Sequence, residues 1–257
     1  MNIVGIIPAR MASSRFPNKP MVDILGIPMI GHCYLRSKMS EVLSDVYVAT
    51  CDKVIFEYIT GIGGKAVMTS SSHERASDRT AEAMLKIERA TNKKIDIVVL
   101  LQGDEPMTTP DMIKLAVTPL INSTSIKISN LYTDIKTIKE FEDPNEVKVV
   151  VDNKKYALYF SREAIPSRKK GFLDVPMYKQ VCVIPFTRDY LIKYNSLAPT
   201  LLENIESVDM MRVLEHGDKI KMVYMTEENF SVDTEEDLIN VINVMKKDKL
   251  INKYIKN

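Results

Sequence analysis

The sequence predicts an α/β protein: a mostly parallel central sheet with helices on both faces, and a smaller antiparallel β-rich portion in its second half. Two observations carry that prediction. Short, continuous apolar runs alternate with amphipathic stretches of helix length through the first 120 residues, and after about residue 121 closely spaced strand patterns replace the alternation. Residues 3–7 (IVGII) form a run of the kind that is buried on both faces. The runs at 45–50 (DVYVAT), 65–68 and 95–102 (IDIVVLLQ) repeat it. Between them lie helical patterns at 29–39, 53–60 and 76–89; Met29, Ile30, Cys33, Tyr34 and Ser37 fall on one face at a 3.6-residue spacing. Residues 125–131, 146–151, 155–161, 178–186 and 220–225 read as strands with few helices among them. Residues 234–246 return to a helix, with Thr234 as N-cap and Glu235, Glu236 and Asp237 in the first turn. The expectation is a single domain over 1–257, with its β-rich portion at about 125–190.

Composition narrows the function classes. The 257 residues are 45% hydrophobic and 27% charged, ordinary globular values that exclude a disordered chain, a collagen or a coiled coil. Lys and Arg number 35 against 34 Asp and Glu, a net charge of +1 that gives no sign of a nucleic-acid partner or a membrane surface. No apolar run approaches the roughly 20 residues of a membrane span. Cys33, Cys51 and Cys182 are odd in number and lack metal-ligand spacing, so they read as free thiols in a reducing cytoplasm.

Four segments can carry chemistry. The first, PARMASSRFPNKP at 8–20, follows the first strand directly, where open α/β sheets bind ligands. Its backbone amides with Arg10, Arg15 and Lys19 suit a phosphate; the competing reading is a solvated loop with scattered charges. Neither GxxxxGK[ST] nor GxGxxG is present. The second, LLQGDEP at 100–106, ends a buried strand in a tight turn, and Asp104 there has the character of a magnesium ligand. In the third, SVDTEEDL at 231–238, Asp233 either caps the following helix or completes a metal site with Asp104. The fourth, TSSSHERASDR at 69–79, is a polar loop before a helix, suited to a base edge or a phosphate; His73 alone defaults to a packing or surface role. No motif for a covalent nucleophile occurs.

In this order, IIPARMASSRFPNKP, LQGDEP and VDTEEDL resemble the 3-deoxy-manno-octulosonate cytidylyltransferases, the CMP-Kdo synthetases. Tyr47-Val48-Ala49-Thr50, ALYFSR at 157–162 with Ile165-Pro166, and LENIES at 202–207 with Arg212-Val213-Leu214 extend the resemblance over nearly the whole chain. It implies a nucleotide-diphospho-sugar transferase-like three-layer fold, a homodimer, and Mg2+-dependent transfer of CMP from CTP to a 3-deoxy-ulosonic acid. By motif, Arg10 and Lys19 would be catalytic contacts to the CTP phosphates, and Asp104 and Asp233 the metal ligands. Ala9, Arg15, Ser70, Ser71 and Arg79 would complete the CTP site. Gln102, Arg162, Gln180, Glu203 and Glu206 would face the sugar acid.

The chain also departs from the family. Arg75-Ala76-Ser77-Asp78-Arg79 stands where Ser-Gly-Thr-[DE]-Arg is usual, and Gln180 where His is usual; Gln hydrogen-bonds but carries no charge. Cys51 replaces a common acid. These departures keep open a modified octulosonate such as the 8-amino analogue, or another ulosonic acid. A non-catalytic relative would be expected to lose Lys19, Asp104 or Asp233, and all three are present.

Overall fold

The computed structural model describes residues 1–12, 16–171 and 174–255. The chain divides into two compact units, residues 1–114 with 229–257, and residues 115–228.

In the first unit β1 (Ile3–Ala9) leads through a short hairpin of β2 (Asp23–Ile24) and β3 (Ile27–Pro28) into α1 (Met29–Lys38). The hairpin turns on Leu25 and Gly26, both at positive φ (54° and 88°), the pairing that two-residue hairpins favour. β4 (Asp45–Thr50), α2 (Lys53–Gly61), β5 (Ala66–Met68), α3 (Ala76–Thr91), β6 (Ile97–Leu101) and α4 (Pro110–Asn122) follow. The strands run in the order β6-β1-β4-β5, all parallel, with Ile6 beside both Tyr47 and Leu100. Every residue of β1 and β6 is buried, which explains why both are unbroken apolar runs. Ile6, Ile7, Val48, Val98, Val99, Met29, Ile30 and Ile55 make the core, each contributing about 1.5–3 kcal/mol by its burial. The chain crosses from β1 to β4 on one side while β6 adds on the other. The carboxyl ends of β1 and β6 therefore flank a switch point, where such sheets open a crevice.

The second unit holds β7 (Ser129–Asp134), α5 (Ile138–Glu142), β8 (Lys148–Val151), β9 (Ala157–Ser161), β10 (Tyr178–Val181), β11 (Val183–Thr187), α6 (Arg188–Ser196), α7 (Leu201–Glu206), α8 (Met210–Glu215) and β12 (Lys221–Tyr224). Its sheet runs β12-β7-β10-β8-β9; β12 is parallel to β7 and the other pairs are antiparallel. The expected strand at 178–186 is two strands broken at Cys182. Three helices separate β11 from β12, where the sequence pattern led us to expect few. α7 and α8 have six residues each, too short to establish a 3.6-residue period.

The chain re-enters the first unit through α9 (Glu235–Met245). Its N-cap is Thr234, as expected. The Thr234 hydroxyl accepts from the Asp237 N–H, and the Asp237 carboxylate accepts from the Thr234 N–H.

Candidate active site

A cleft of about 700 Å3 opens in the first unit at the carboxyl ends of β1 and β6. Pro8, Ala9 and Arg10 line one wall, Gln102, Gly103 and Asp104 another, and His73 to Ala76 with Arg79 a third.

Lys19 lies at its floor. Asn18 takes a left-handed conformation (φ 59°) and turns the chain into a single 3-10 turn at Lys19–Met21, which leaves Lys19 only 8% exposed. Its ammonium donates to Asp104 Oδ2 at 2.7 Å and to Asp233 Oδ1 at 3.1 Å. Burial opposes the charge on Lys19, but Asp104 and then Asp233 outweigh it, and the pKa stands above the ordinary lysine value. Three residues spread over 214 positions of sequence thus meet at one nitrogen.

Backbone geometry makes the meeting possible. A side chain at Gly103 would place its Cβ 3.1 Å from the Pro8 carbonyl oxygen, a tight contact that glycine avoids where the chain leaving β6 leans against the end of β1. The Val232 N–H donates to the Asp104 carbonyl (3.0 Å), joining the segment that carries Asp233 to the same turn. Because Thr234 and Asp237 cap α9, the Asp233 side chain is released from capping and turns to Lys19.

The two carboxylates pass a simple test as a magnesium site. Both are hard oxygen donors and both reach one cationic centre within 3.1 Å. No cluster of three or more metal-ligating side chains occurs among the described residues. Two carboxylates are the set with which Mg2+ is held when substrate phosphates complete its shell.

Arg10 is exposed at the mouth, its guanidinium 3.5 Å from the His73 carbonyl. Arg79 is buried and donates to the Thr69 hydroxyl and to the carbonyls of Ser70 and His73; it shapes the loop rather than presenting a free cation. Ser70 and Ser71 are exposed, and the Ser70 hydroxyl pairs with Ser72 at 2.7 Å. Arg15 lies outside the described residues. Glu82 on α3 escaped the sequence reading. One of its oxygens accepts from the Ser70 N–H (2.8 Å) and meets His73 Nε2 (2.5 Å), while the other meets Lys86 (2.7 Å). Partial burial works against its charge, but Lys86, Ser70 and His73 together hold its pKa down at about 2. The signal for it was an acid two turns into the helix that follows a polar loop.

The remaining residues belong to the second unit. Glu203 has no exposed surface, and both its oxygens accept from Arg212 at 2.7 and 2.6 Å, with Arg212 stacked 4.8 Å from the Tyr194 ring. A carboxylate so enclosed braces α7 against α8. Arg162 spends its guanidinium on the carbonyls of Glu206, Pro144 and Ser207. Glu206 accepts from the Tyr159 and Ser161 hydroxyls and the Arg162 N–H. Gln180 donates to Asn130 Oδ1.

Comparison with known proteins agrees with this geometry. The cytidylyltransferase family profile matches residues 4–220. The 3-deoxy-manno-octulosonate cytidylyltransferase of Geotalea uraniireducens is 40% identical, with 96% of this chain and 100% of that protein covered. The mitochondrial 3-deoxy-manno-octulosonate cytidylyltransferase of Arabidopsis thaliana is 41% identical over 95% of this chain and 83% of its own. Among solved structures, a CMP:2-keto-3-deoxy-manno-octonic acid synthetase complexed with CTP superposes with a TM-score of 0.87 at 34% identity, covering 96% of this chain and 99% of that one. A 4-diphosphocytidyl-2C-methyl-D-erythritol synthase from Anaerococcus prevotii, at 15% identity and a TM-score of 0.61, shares the fold. The chain belongs to the 3-deoxy-manno-octulosonate cytidylyltransferase family.

Proposed function

We propose that this chain transfers a cytidylyl group from CTP to the anomeric hydroxyl of 3-deoxy-manno-octulosonate or a close 3-deoxy-ulosonic acid, releasing pyrophosphate. The convergence of Asp104 and Asp233 on Lys19, within a cation-lined cleft, carries the reading. In the reaction the sugar hydroxyl oxygen bonds to the α-phosphorus, the bond to the pyrophosphate oxygen breaks, and the hydroxyl proton departs. Negative charge gathers on the phosphoryl and leaving oxygens, so fixed positive charge and positioning do most of the catalytic work.

Lys19 has three N–H donors and gives two to carboxylates, which leaves one for a phosphate oxygen. Its raised pKa keeps it charged throughout the neutral range. Arg10, exposed at the rim, offers a planar fork to the departing pyrophosphate. Ala9 on the cleft wall would contact the cytosine or ribose, as would Ser70 and Ser71, which do not line the cleft themselves but sit on the loop that Arg79 and Glu82 tie down and that lines it from His73 on. Asp104 and Asp233 would hold Mg2+, which when bound supplies Lewis-acid stabilisation of the phosphoryl charge. Gln102 is the cleft's own candidate contact for the sugar acid. Gln180, a neutral amide where the family usually has His, and Arg75, which lines the cleft, favour a second reading: the same chemistry on a modified octulosonate. A homodimer in the cytoplasm completes the proposal.

The test is pyrophosphate release with CTP and magnesium against 3-deoxy-manno-octulosonate, its 8-amino analogue and a nonulosonic acid. Turnover of the first establishes the reading; turnover of the second alone establishes the alternative; silence with all three overturns both. Asp104→Asn is expected to lower kcat by about 10³ with the fold intact by circular dichroism. Near-normal turnover would remove Asp104 from the metal site.

A further inference from the structure

α1 carries two fully buried polar side chains one turn apart, His32 and Arg36, that neither the cleft nor the core requires. Arg36 donates from Nε to the Thr108 carbonyl (3.0 Å) and from Nη2 to the Met107 carbonyl (3.1 Å), and pairs through Nη1 with Asp248. Thr108 closes a turn onto the Glu105 carbonyl by its N–H and its hydroxyl, so Arg36 grips the turn that begins beside Asp104. His32 lies 2.7 Å by Nε2 from the Ile24 carbonyl and 2.9 Å by Nδ1 from the Tyr254 hydroxyl. A carbonyl only accepts, so Nε2 carries the proton, Nδ1 is the acceptor, and Tyr254 donates. Burial lowers the pKa of His32, which is consistent with this neutral ring. Ile24 closes the segment that begins at Lys19; the Val22 N–H bonds the Lys19 carbonyl and the Met29 N–H bonds the Val22 carbonyl. The Tyr254 ring stands edge-on to His32 at 5.6 Å.

The geometry points to a C-terminal clasp: Asp248 and Tyr254, acting through Arg36 and His32, are positioning residues that set the spacing between the segment carrying Lys19 and the turn carrying Asp104. The inference rests on the proposed metal role of Asp104 and Asp233. Arg36 and His32 meet the two site segments only at backbone carbonyls, which suits a device that fixes where a loop runs and leaves its side chains to the site. Buried polar contacts of this kind are costly to leave half-made, so loss of the C-terminal partner is felt at the far end of each bond.

The experiment uses the full chain and reads two quantities: Mn2+ binding by electron paramagnetic resonance, with and without CTP, and steady-state pyrophosphate release. The variants are Tyr254→Phe, which keeps the ring and removes one hydroxyl, and Arg36→Met, with Ile55→Ala as a core control of comparable stability loss. Loss of outer-sphere support is expected to weaken Mn2+ binding about tenfold and to lower kcat about tenfold, with KM for CTP changed by no more than about twofold. Ile55→Ala is expected to change neither. If the clasp variants lose thermal stability but bind Mn2+ and turn over like wild type, the segment is only structural and the inference falls. If wild type releases no pyrophosphate with any sugar while Mn2+ binding still weakens in the clasp variants, the cytidylyl reading falls and the clasp stands.

Discussion

Two of the buried lysines, Lys19 in the first unit and Lys148 in the second, are held in opposite ways. Lys19 faces two carboxylates, which overcome the cost of burial and raise its pKa. Lys148, with no exposed surface, donates to the carbonyls of Asp143, Glu146 and Arg162; burial prevails there and its pKa is lowered. The first is charge stored against charge, in reach of a cleft. The second is a peg that ties the loop at 143–146 to the end of β9. Of this pair, the cation with ionised partners stands in the candidate site and the one with peptide partners is scaffolding. Ionised partners alone do not mark a site, since buried Lys179 pairs with Glu140 and Glu146 and Arg212 with Glu203 as braces.

The sharpest way to break this contrast is to remove each cation. Lys19→Ala is expected to lower kcat/KM for CTP by about 10²–10³ while leaving the melting temperature nearly unchanged, since the partly exposed Asp104 and Asp233 carboxylates can be rehydrated from the cleft. An effect confined to the sugar would contradict its assignment. Lys148→Met is expected to do the reverse. Three enclosed carbonyls lose their donor, at a cost of about 3 kcal/mol or more read from urea unfolding, with activity per folded molecule retained.

Glu82 provides the smallest and finest test. Its depressed pKa means that its contribution to stability is complete above the ordinary carboxylate value of about 4.5 and is lost as the pH falls through about 2. Glu82→Gln is therefore expected to flatten the pH dependence of stability between those limits. It should also raise KM for CTP a few-fold at neutral pH by loosening Ser70 and His73. An unchanged acid titration would show that the loop is held by Arg79 alone.

Much of the first unit was legible in the sequence because its strands are buried on both faces and show as continuous apolar runs. The second unit was harder to read. Val181 and Val183 flank the break at Cys182 with no change in polarity, so two strands looked like one. α6 mixes charge and aromatic residues without a clear face. In the site, Lys19, Asp104 and Asp233 announced themselves by motif, and the fold supplied their convergence. Glu203 was equally visible by motif, yet its enclosure by Arg212 could not be read from a one-dimensional pattern. Arg36 and His32 were hidden for a related reason: a polar side chain on a helix looks solvated until its carbonyl partners, some 70 residues away or more for Arg36, are known.

The spacing at Gly103 sets the scale of the whole arrangement. Adjacent strands lie about 4.8 Å apart, a distance set by hydrogen bonding and indifferent to chemistry. By leaving out one methyl group against the Pro8 carbonyl, Gly103 lets the turn that leaves β6 pass close over the end of β1. The approach is thus written in the backbone, one residue before the carboxylate that meets Lys19.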